Sequence, residues 1–151
     1  MSLEDKVILT VACTGAWPKK ADSPYVPLTP QEEADEIVLC AQAGASIAHI
    51  HVRDDEHNAS MDFDKFAETV ELVRSRSDIV INLTTSGGLG LADEVRMRPF
   101  QALRPDIASF DSGTLHWTHS TIFDHSPKFL KKLTIPMGHC KSTPQGEILE
   151  W

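Results

Sequence analysis

Short apolar runs alternate with amphipathic helical patterns along this chain, and this alternation restricts its fold more than any other feature. Four segments read as strands and four as helices: strands at 7–13, 46–52, 78–84 and 106–110, helices at 30–44, 62–76, 92–100 and 126–130. Strands that are apolar along their length and separated by helices form parallel sheets with helical crossovers. The chain is therefore predicted to be an α/β protein.

The first predicted helix carries the clearest boundary signals. Thr29 is suited to the N-cap, Pro30 to the first helical position, and Glu32 completes a capping box three residues after the cap. Gly44 then provides the stop. These local signals predict a helix that begins at residue 30 and ends at residue 44.

Two architectures fit the alternation: an open, doubly wound sheet and part of a (β/α)₈ barrel. The chain has 151 residues, which suits one globular domain covering residues 1–151. A complete barrel needs about 200 residues or more, so this chain would supply about half of one.

Charge and composition exclude several classes of function. The net charge of −8 argues against binding to nucleic acid or to an acidic membrane surface. No apolar stretch approaches the roughly 18 residues of a membrane span, and the N-terminus has no signal-peptide pattern. Cys13, Cys40 and Cys140 are odd in number and lack C-x-x-C spacing, which fits a reducing environment. A cytoplasmic location is predicted.

A pair of histidines closes the second predicted strand. Residues two apart on a strand share one face, so His49 and His51 are expected to converge on one point. Imidazole nitrogens are common ligands for Zn²⁺, and ligands in α/β folds bind at the carboxyl ends of parallel strands. Arg53 and Asp54 follow where the strand gives way to a loop. A chance His-x-His remains the alternative to a metal site.

Two other polar segments are weaker candidates. The loop 82–90, which is glycine-rich at 86–90, lies after a strand and before a helix, where backbone N–H groups can bind a carboxylate or phosphate, although it matches neither a dinucleotide fingerprint nor a P-loop. A simple tight turn is the alternative. His116, His119 and His125 lie in a polar segment and are expected to be exposed loop histidines rather than a second metal site.

Several motifs together resemble one enzyme family. They are Thr14-Gly15-Ala16, the Pro27-x-Thr29-Pro30 segment, Ala43-Gly44-Ala45, His49-Ile50-His51-Val52-Arg53-Asp54, the loop 84–88, and Arg104-Pro105-Asp106-Ile107-Ala108-Ser109 with Gly113. In this order they resemble the β-keto acid cleavage enzymes, which include the 3-keto-5-aminohexanoate cleavage enzyme. The likeness covers residues 7–133.

The resemblance implies a (β/α)₈ TIM-type barrel of which this chain covers about the N-terminal half. It implies a divalent metal, usually zinc, held by His49, His51 and a glutamate from late in the barrel. Family members react a β-keto acid with acetyl-CoA and give acetoacetate and a new CoA ester. A metal with open positions can act as a Lewis acid on the keto and carboxylate oxygens.

The resemblance also implies substrate-binding residues: Thr85 and Gly88 at the carboxylate, with Ser109 and Asp111 at the next strand end. Trp17 stands where some members have a glutamate that reads an amino group, so a more apolar substrate is expected. Asp111 replaces a frequent asparagine and changes the charge beside the substrate.

The tail 134–151 is predicted to be atypical and to depart from the family pattern. The resemblance places the glutamate ligand, a catalytic aspartate and an arginine beyond this chain, and Glu147 or Glu150 is not expected to replace the ligand. A truncated or frame-shifted product with impaired activity is therefore expected.

Two other functions remain open. A metal-dependent hydrolase of the amidohydrolase type also places His-x-His at a strand end. A non-catalytic half-barrel with exposed sheet edges would self-associate, and a homo-oligomer is predicted.

Overall fold

The computed structural model describes residues 6–88, 90–111, 114–117, 120–123 and 125–137. The strands are β1 (Thr10–Val11), β2 (Ile47–Ile50), β3 (Val52–Arg53), β4 (Ala59–Ser60), β5 (Val80–Leu83), β6 (Ile107–Ala108), β7 (Thr114–Trp117) and β8 (Ser120–Phe123). The helices are α1 (Pro30–Gln42), α2 (Phe63–Arg74), α3 (Asp93–Leu103) and α4 (Pro127–Met137).

Four of these strands form a parallel sheet in the order β1-β2-β5-β6. Each successive parallel strand joins the same growing edge, whereas a doubly wound sheet would reverse direction. Strands β3 and β4 form a separate antiparallel pair, as do β7 and β8. The sequential order is that of a partial (β/α)₈ barrel.

The helices pack on one face of the sheet. Burial alternates along both central strands, with Ala48 and Ile50 of β2 and Ile81 and Leu83 of β5 fully enclosed. These side chains share one apolar cluster with residues of α1 and α2, namely Ala34, Ile37, Phe66, Val70 and Val73. The opposite face, which would be the barrel interior, is only partly covered in this chain.

A second cluster continues this packing under the later helices. Ala108 of β6 is buried with Met97 and Phe100 of α3 and with Phe129 and Leu133 of α4. Ala108 pairs with Leu83 in the sheet and so lies on the same face. All four helices therefore cover one side, which is the arrangement of a barrel and not of a doubly wound sheet.

The capping box at the start of α1 is confirmed. The Glu32 N–H donates to Thr29 Oγ1 at 3.2 Å, and the Glu32 carboxylate accepts from the Thr29 N–H at 3.3 Å. Gly44 follows the helix with a φ of 105°, a conformation that only glycine adopts without strain. The helix itself ends at Gln42, two residues before the predicted stop.

All four predicted strands are shorter than expected, and the first two show the physical reason. The first was predicted as a buried strand at 7–13, but only Thr10–Val11 pairs, and Val7 is 80% exposed. Within the described residues β1 pairs with β2 alone, so no strand is hydrogen-bonded to its other edge. The second ends at Ile50, because Val52–Arg53 turns away to pair with Ala59–Ser60. The periodicity of the sequence does not show which strand a segment pairs with.

Among the described residues, no helix combines the length and apolar character needed to cross a membrane.

Candidate active site

The candidate site lies at the carboxyl ends of β2, β5 and β6, on the sheet face that the helices leave open. His49 is in register with Asn82, and Asn82 is in register with Ile107. His51 comes directly after β2, and Ser109 directly after β6. Parallel strands bring these chain segments to one edge of the sheet, as in barrel enzymes generally.

The two histidine rings meet, as the spacing of two predicted. Nε2 of His49 lies 3.1 Å from Nε2 of His51, and the rings are arranged edge to face with centroids 5.0 Å apart. Two nitrogens bound tetrahedrally at about 2.0–2.1 Å from one zinc ion would be about 3.3 Å apart. The observed separation is thus close to that of two ligands of one metal.

Burial keeps both rings in the neutral form that binds metals. Desolvation, together with the smaller effects of the neighbouring His49 and Arg53 charges, lowers the pKa of His51 to about 4. Desolvation also lowers the pKa of His49, and the Asn82 side chain and the Asp111 carboxylate offset part of that effect. Neutral imidazole is the ligand state of histidine.

The donor set fits part of a metal site. Nδ1 of His51 is buried without a hydrogen-bond partner, as is Oδ1 of Asn82 beside the pair. In the described part of the chain, no group of three or more histidine, cysteine, aspartate or glutamate side chains is placed to hold one ion. The residues present therefore fit two positions of a zinc site.

Thr85 and Ser109 join the ends of β5 and β6. The Thr85 N–H donates to Ser109 Oγ at 2.9 Å, and the Thr85 hydroxyl donates to the Ser109 carbonyl oxygen, also at 2.9 Å. Nε of Arg96 donates to the Thr85 carbonyl oxygen at 2.8 Å. Thr85 is fully buried, whereas Ser109 is half-buried, so Ser109 is the more accessible of the two predicted substrate residues.

Asp111 and His125 complete this cluster. The Asp111 N–H donates to Nδ1 of His125 at 2.9 Å, and Nε2 of His125 lies 2.9 Å from the Thr85 hydroxyl. The expectation that His125 is an exposed loop histidine is wrong, because its ring has no exposed surface. The turn that leads into α4 carries it under the sheet end, which composition cannot reveal. His119 and the side chain of His116 lie outside the described residues.

Arg53 has a structural role at the rim of the site. Its guanidinium donates to the carbonyl oxygens of Gly15, Pro18 and His57 at 3.1, 2.9 and 3.0 Å, with a longer contact to that of Thr14 at 3.5 Å. These bonds attach the loop after β1 to the β3–β4 turn. Trp17 lies on that loop with 68% of its surface exposed.

The glycine-rich loop packs tightly against β4. A Cβ atom at Gly87 would lie 2.8 Å from both the Met61 sulfur and the Ser60 carbonyl oxygen, and one at Gly88 would lie 2.3 Å from Leu91 Cδ1. The backbone contact with Ser60 therefore requires glycine at Gly87, whereas the Leu91 side chain that Gly88 faces is 43% exposed and has room to move. Binding of a substrate carboxylate by Gly88 stays a prediction.

Sequence reasoning missed two further residues of the site. Asn82 is the single polar residue inside an otherwise apolar strand, and that interruption was an available signal. Glu33 lies on α1 with 2% of its surface exposed, and the His51 backbone N–H is one of the groups that lower the pKa of its carboxyl against the larger effect of burial. Glu33 lies four residues before Ile37 and eight before Ala41, on the apolar face of the helix, so the helical period was an available signal that separates it from Glu32.

Comparison with known proteins agrees with the architecture. The family described as beta-keto acid cleavage enzyme matches residues 6–151, a range that includes the segment 134–151 predicted to be atypical. The apo structure of ObcA superposes with a TM-score of 0.70 at 24% identity, covering 78% of this chain and 29% of that one. At that identity the likeness bears on the fold alone.

Curated relatives are more similar in sequence. The chain is 35% identical over 128 residues to the 3-keto-5-aminohexanoate cleavage enzyme of Fusobacterium nucleatum subsp. nucleatum, which covers 84% of this chain and 47% of the relative. It is 32% identical over 143 residues to the 3-oxoadipate:acetyl-CoA acetyltransferase of Cupriavidus necator, covering 95% and 50%. The chain spans about half the length of these relatives.

Proposed function

Since this chain belongs to the β-keto acid cleavage enzyme family, we propose that it carries the part of such an enzyme that binds a metal and a β-keto acid. The reaction is transfer between a β-keto acid and acetyl-CoA, giving acetoacetate and a new CoA ester. The observation that best supports the proposal is the 3.1 Å approach of the two Nε2 atoms at the strand ends.

In this proposal His49 and His51 hold a divalent metal, with zinc as the first choice because imidazole nitrogens suit it. When bound, the metal supplies a Lewis acid for the keto and carboxylate oxygens of the substrate. The chain's own contribution is to keep both imidazoles neutral by burial, which leaves Nε2 of each ring able to ligate.

Ser109 is the group proposed to contact the substrate directly. Its Oγ accepts a hydrogen bond from the Thr85 N–H, and its own hydroxyl proton, whose contact with the Thr85 hydroxyl oxygen is a long 3.3 Å, can be donated to a ligand oxygen instead. Thr85 and Gly88 stay predicted partners of the substrate carboxylate, and Thr85 supports Ser109 in the described arrangement. Asp111 adds negative charge near His49, which favours a cation there.

Trp17 is proposed to favour an apolar substrate group over an amino group. An indole ring offers a large apolar surface and no carboxylate to pair with an ammonium ion. Arg53 donates hydrogen bonds to the carbonyl oxygens of Gly15 and Pro18, on either side of Trp17. These bonds hold the backbone that carries the Trp17 ring at the rim of the site.

Three further statements belong to the same proposal. Activity of this chain by itself is expected to be impaired, because no third ligand accompanies the two histidines in the described residues. Self-association is expected, because β1 leaves Val7, Ile8 and Leu9 exposed at a sheet edge. A cytoplasmic location stays a prediction.

The metal site is tested by the zinc content of the purified chain and of matched histidine variants. H49A and H51A are expected to lose bound zinc, because either substitution removes one of two ligands. H57N is the control, since His57 is exposed in a turn with a φ of 66°, a conformation that asparagine tolerates. Equal zinc content in H49A, H57N and the unsubstituted chain would refute the metal site.

The reaction is tested by incubating the zinc-loaded chain with a β-keto acid, with and without acetyl-CoA. Acetoacetate and a new CoA ester that form only with acetyl-CoA, even at low yield, would support the proposal. Hydrolysis of an ester or amide that is independent of acetyl-CoA would favour a metal-dependent hydrolase instead.

A further inference from the structure

His125 is a buried polar residue outside the predicted ligand set. The ring lies 4.9 Å from the Phe129 ring and 6.4 Å from the Phe110 ring, measured between centroids. Both ring nitrogens nevertheless face polar partners: Nδ1 faces the Asp111 N–H, and Nε2 faces the Thr85 hydroxyl, with Oδ2 of Asp111 3.9 Å from Nε2. An apolar residue of similar size would fill this space and leave both partners without that contact.

The partners determine which ring nitrogen carries the proton. A backbone N–H can only donate, so Nδ1 accepts from Asp111 and the neutral ring carries its hydrogen on Nε2. Nε2 then donates to the Thr85 hydroxyl oxygen at 2.9 Å. The Thr85 hydroxyl in turn directs its proton to the Ser109 carbonyl oxygen at 2.9 Å.

These three hydrogen bonds share one donor-to-acceptor direction, and they connect residues that follow β5 and β6. Asp111 donates to His125, His125 donates to Thr85, and Thr85 donates to Ser109. The Thr85 N–H fixes Ser109 Oγ as an acceptor at 2.9 Å, whereas the Thr85 and Ser109 hydroxyl oxygens are 3.3 Å apart. The Ser109 hydroxyl proton therefore has only a long contact within this group of bonds.

We propose that His125 is a positioning residue of the candidate active site. In its Nε2–H form it holds the backbone of Asp111 and the hydroxyl of Thr85, which keeps the Asp111 carboxylate near His49 and orients the Ser109 hydroxyl toward a bound β-keto acid. The part of this inference that concerns substrate rests on the proposed function; the hydrogen bonds do not.

Two conservative variants separate the two bonds. The amide oxygen of H125N can replace Nδ1 as the acceptor for Asp111, whereas the amide nitrogen of H125Q can replace Nε2 as the donor to Thr85. H125L removes both interactions. H57N again serves as the control, because it makes the same substitution at an exposed histidine.

The first measurement is hydrogen exchange of the Asp111 amide, followed by NMR. We expect slow exchange in the unsubstituted chain, H57N and H125N, and about tenfold faster exchange in H125Q and H125L, because the loss of a buried hydrogen bond is worth about 1.4 kcal/mol, which corresponds to a factor of ten. The nitrogen chemical shifts of the His125 ring should report a proton on Nε2. Equal Asp111 exchange in all variants, or a proton on Nδ1, would overturn the assignment.

The second measurement is calorimetric binding of acetoacetate, used as the β-keto acid probe, to the zinc-loaded chain. H125L is expected to bind about tenfold more weakly, with H125N and H125Q each restoring part of the affinity. Equal binding by all variants would overturn the positioning role, even if Asp111 exchange changes. If the unsubstituted chain binds no acetoacetate, the proposed function fails and so does the role toward substrate, while Asp111 exchange still decides the hydrogen bonds. Should H125L not fold, H125N and H125Q decide the outcome.

Discussion

Replacement of Glu33 by glutamine should stabilise the protein progressively as the pH rises. Glu33 is 2% exposed, and one of its carboxyl oxygens has no hydrogen-bond partner. Desolvation raises the pKa of Glu33 from 4.5 to about 8, although the Thr14 side chain, the His51 backbone N–H and the charge of Arg53 each act in the opposite direction. A neutral amide of the same shape has no proton to lose.

The direction of the effect follows from the raised pKa. The folded protein holds the Glu33 proton more tightly than the unfolded chain does, so Glu33 favours folding fully at a pH below 4.5. That contribution is lost as the pH rises from 4.5 to about 8, and no further loss occurs above that range. The unsubstituted protein should therefore lose stability relative to E33Q across this interval.

The size of the effect can be set from the same pKa. Each pKa unit corresponds to about 1.4 kcal/mol, so the rise from 4.5 to about 8 corresponds to about 5 kcal/mol in total. About 3 kcal/mol of this should be lost between pH 4.5 and pH 7. These are upper estimates, because local relaxation and water entry lower the penalty of a buried charge.

Urea unfolding followed by circular dichroism, at several pH values from 4.5 to 9, measures this difference. E36Q is the matched control, because Glu36 is an exposed carboxylate on the same helix. Poorer packing of glutamine would add a constant offset at every pH, so the slope and not the intercept is decisive. A free-energy difference between E33Q and the unsubstituted protein that does not change with pH would refute the reasoning.

Three other substitutions test the framework of the site. R53A should destabilise the protein by roughly 2 kcal/mol or more, because the hydrogen bonds of Arg53 to backbone carbonyl oxygens are lost. Trypsin should then cleave the loop faster after Lys19. An unchanged cleavage rate would contradict the anchoring role of Arg53. G87A should cost about 1–3 kcal/mol, since the new Cβ meets the Met61 sulfur at 2.8 Å, and a thermal melt equal to that of the unsubstituted protein would show that the loop moves freely. T29A should cost about 1 kcal/mol by removing the helix cap, whereas T29S should melt like the unsubstituted protein.

Local chemistry made several features predictable from sequence. The cap at Thr29 depends on residues within one turn of helix, and the left-handed conformation of Gly44 depends on that residue alone. The meeting of His49 and His51 was predicted from the alternation of side chains along a strand, and it occurs although β2 ends at Ile50 and His51 follows it. Such short-range features survive errors in the exact ends of strands.

Strand ends and burial were less predictable. The run at 7–13 has the composition of a buried strand, yet Val7 and Ile8 are exposed because β1 forms a sheet edge. Similarly, Val52–Arg53 continues an apolar run but pairs with Ala59–Ser60 instead of extending β2. Both outcomes depend on which segment lies alongside, and composition carries no information on that.

By itself, the sequence determined the βα alternation, the start of the first helix, and the convergence of two imidazoles at a strand end. Only the tertiary structure decided that helices cover one face of the sheet and that the open face carries Asn82 beside His49. It also decided that His125 joins Thr85 and Asp111. The physical reason is the range of the interactions: a capping box or a strand face is fixed by neighbours a few residues apart, whereas a buried histidine acquires its partners only when the sheet brings distant segments together.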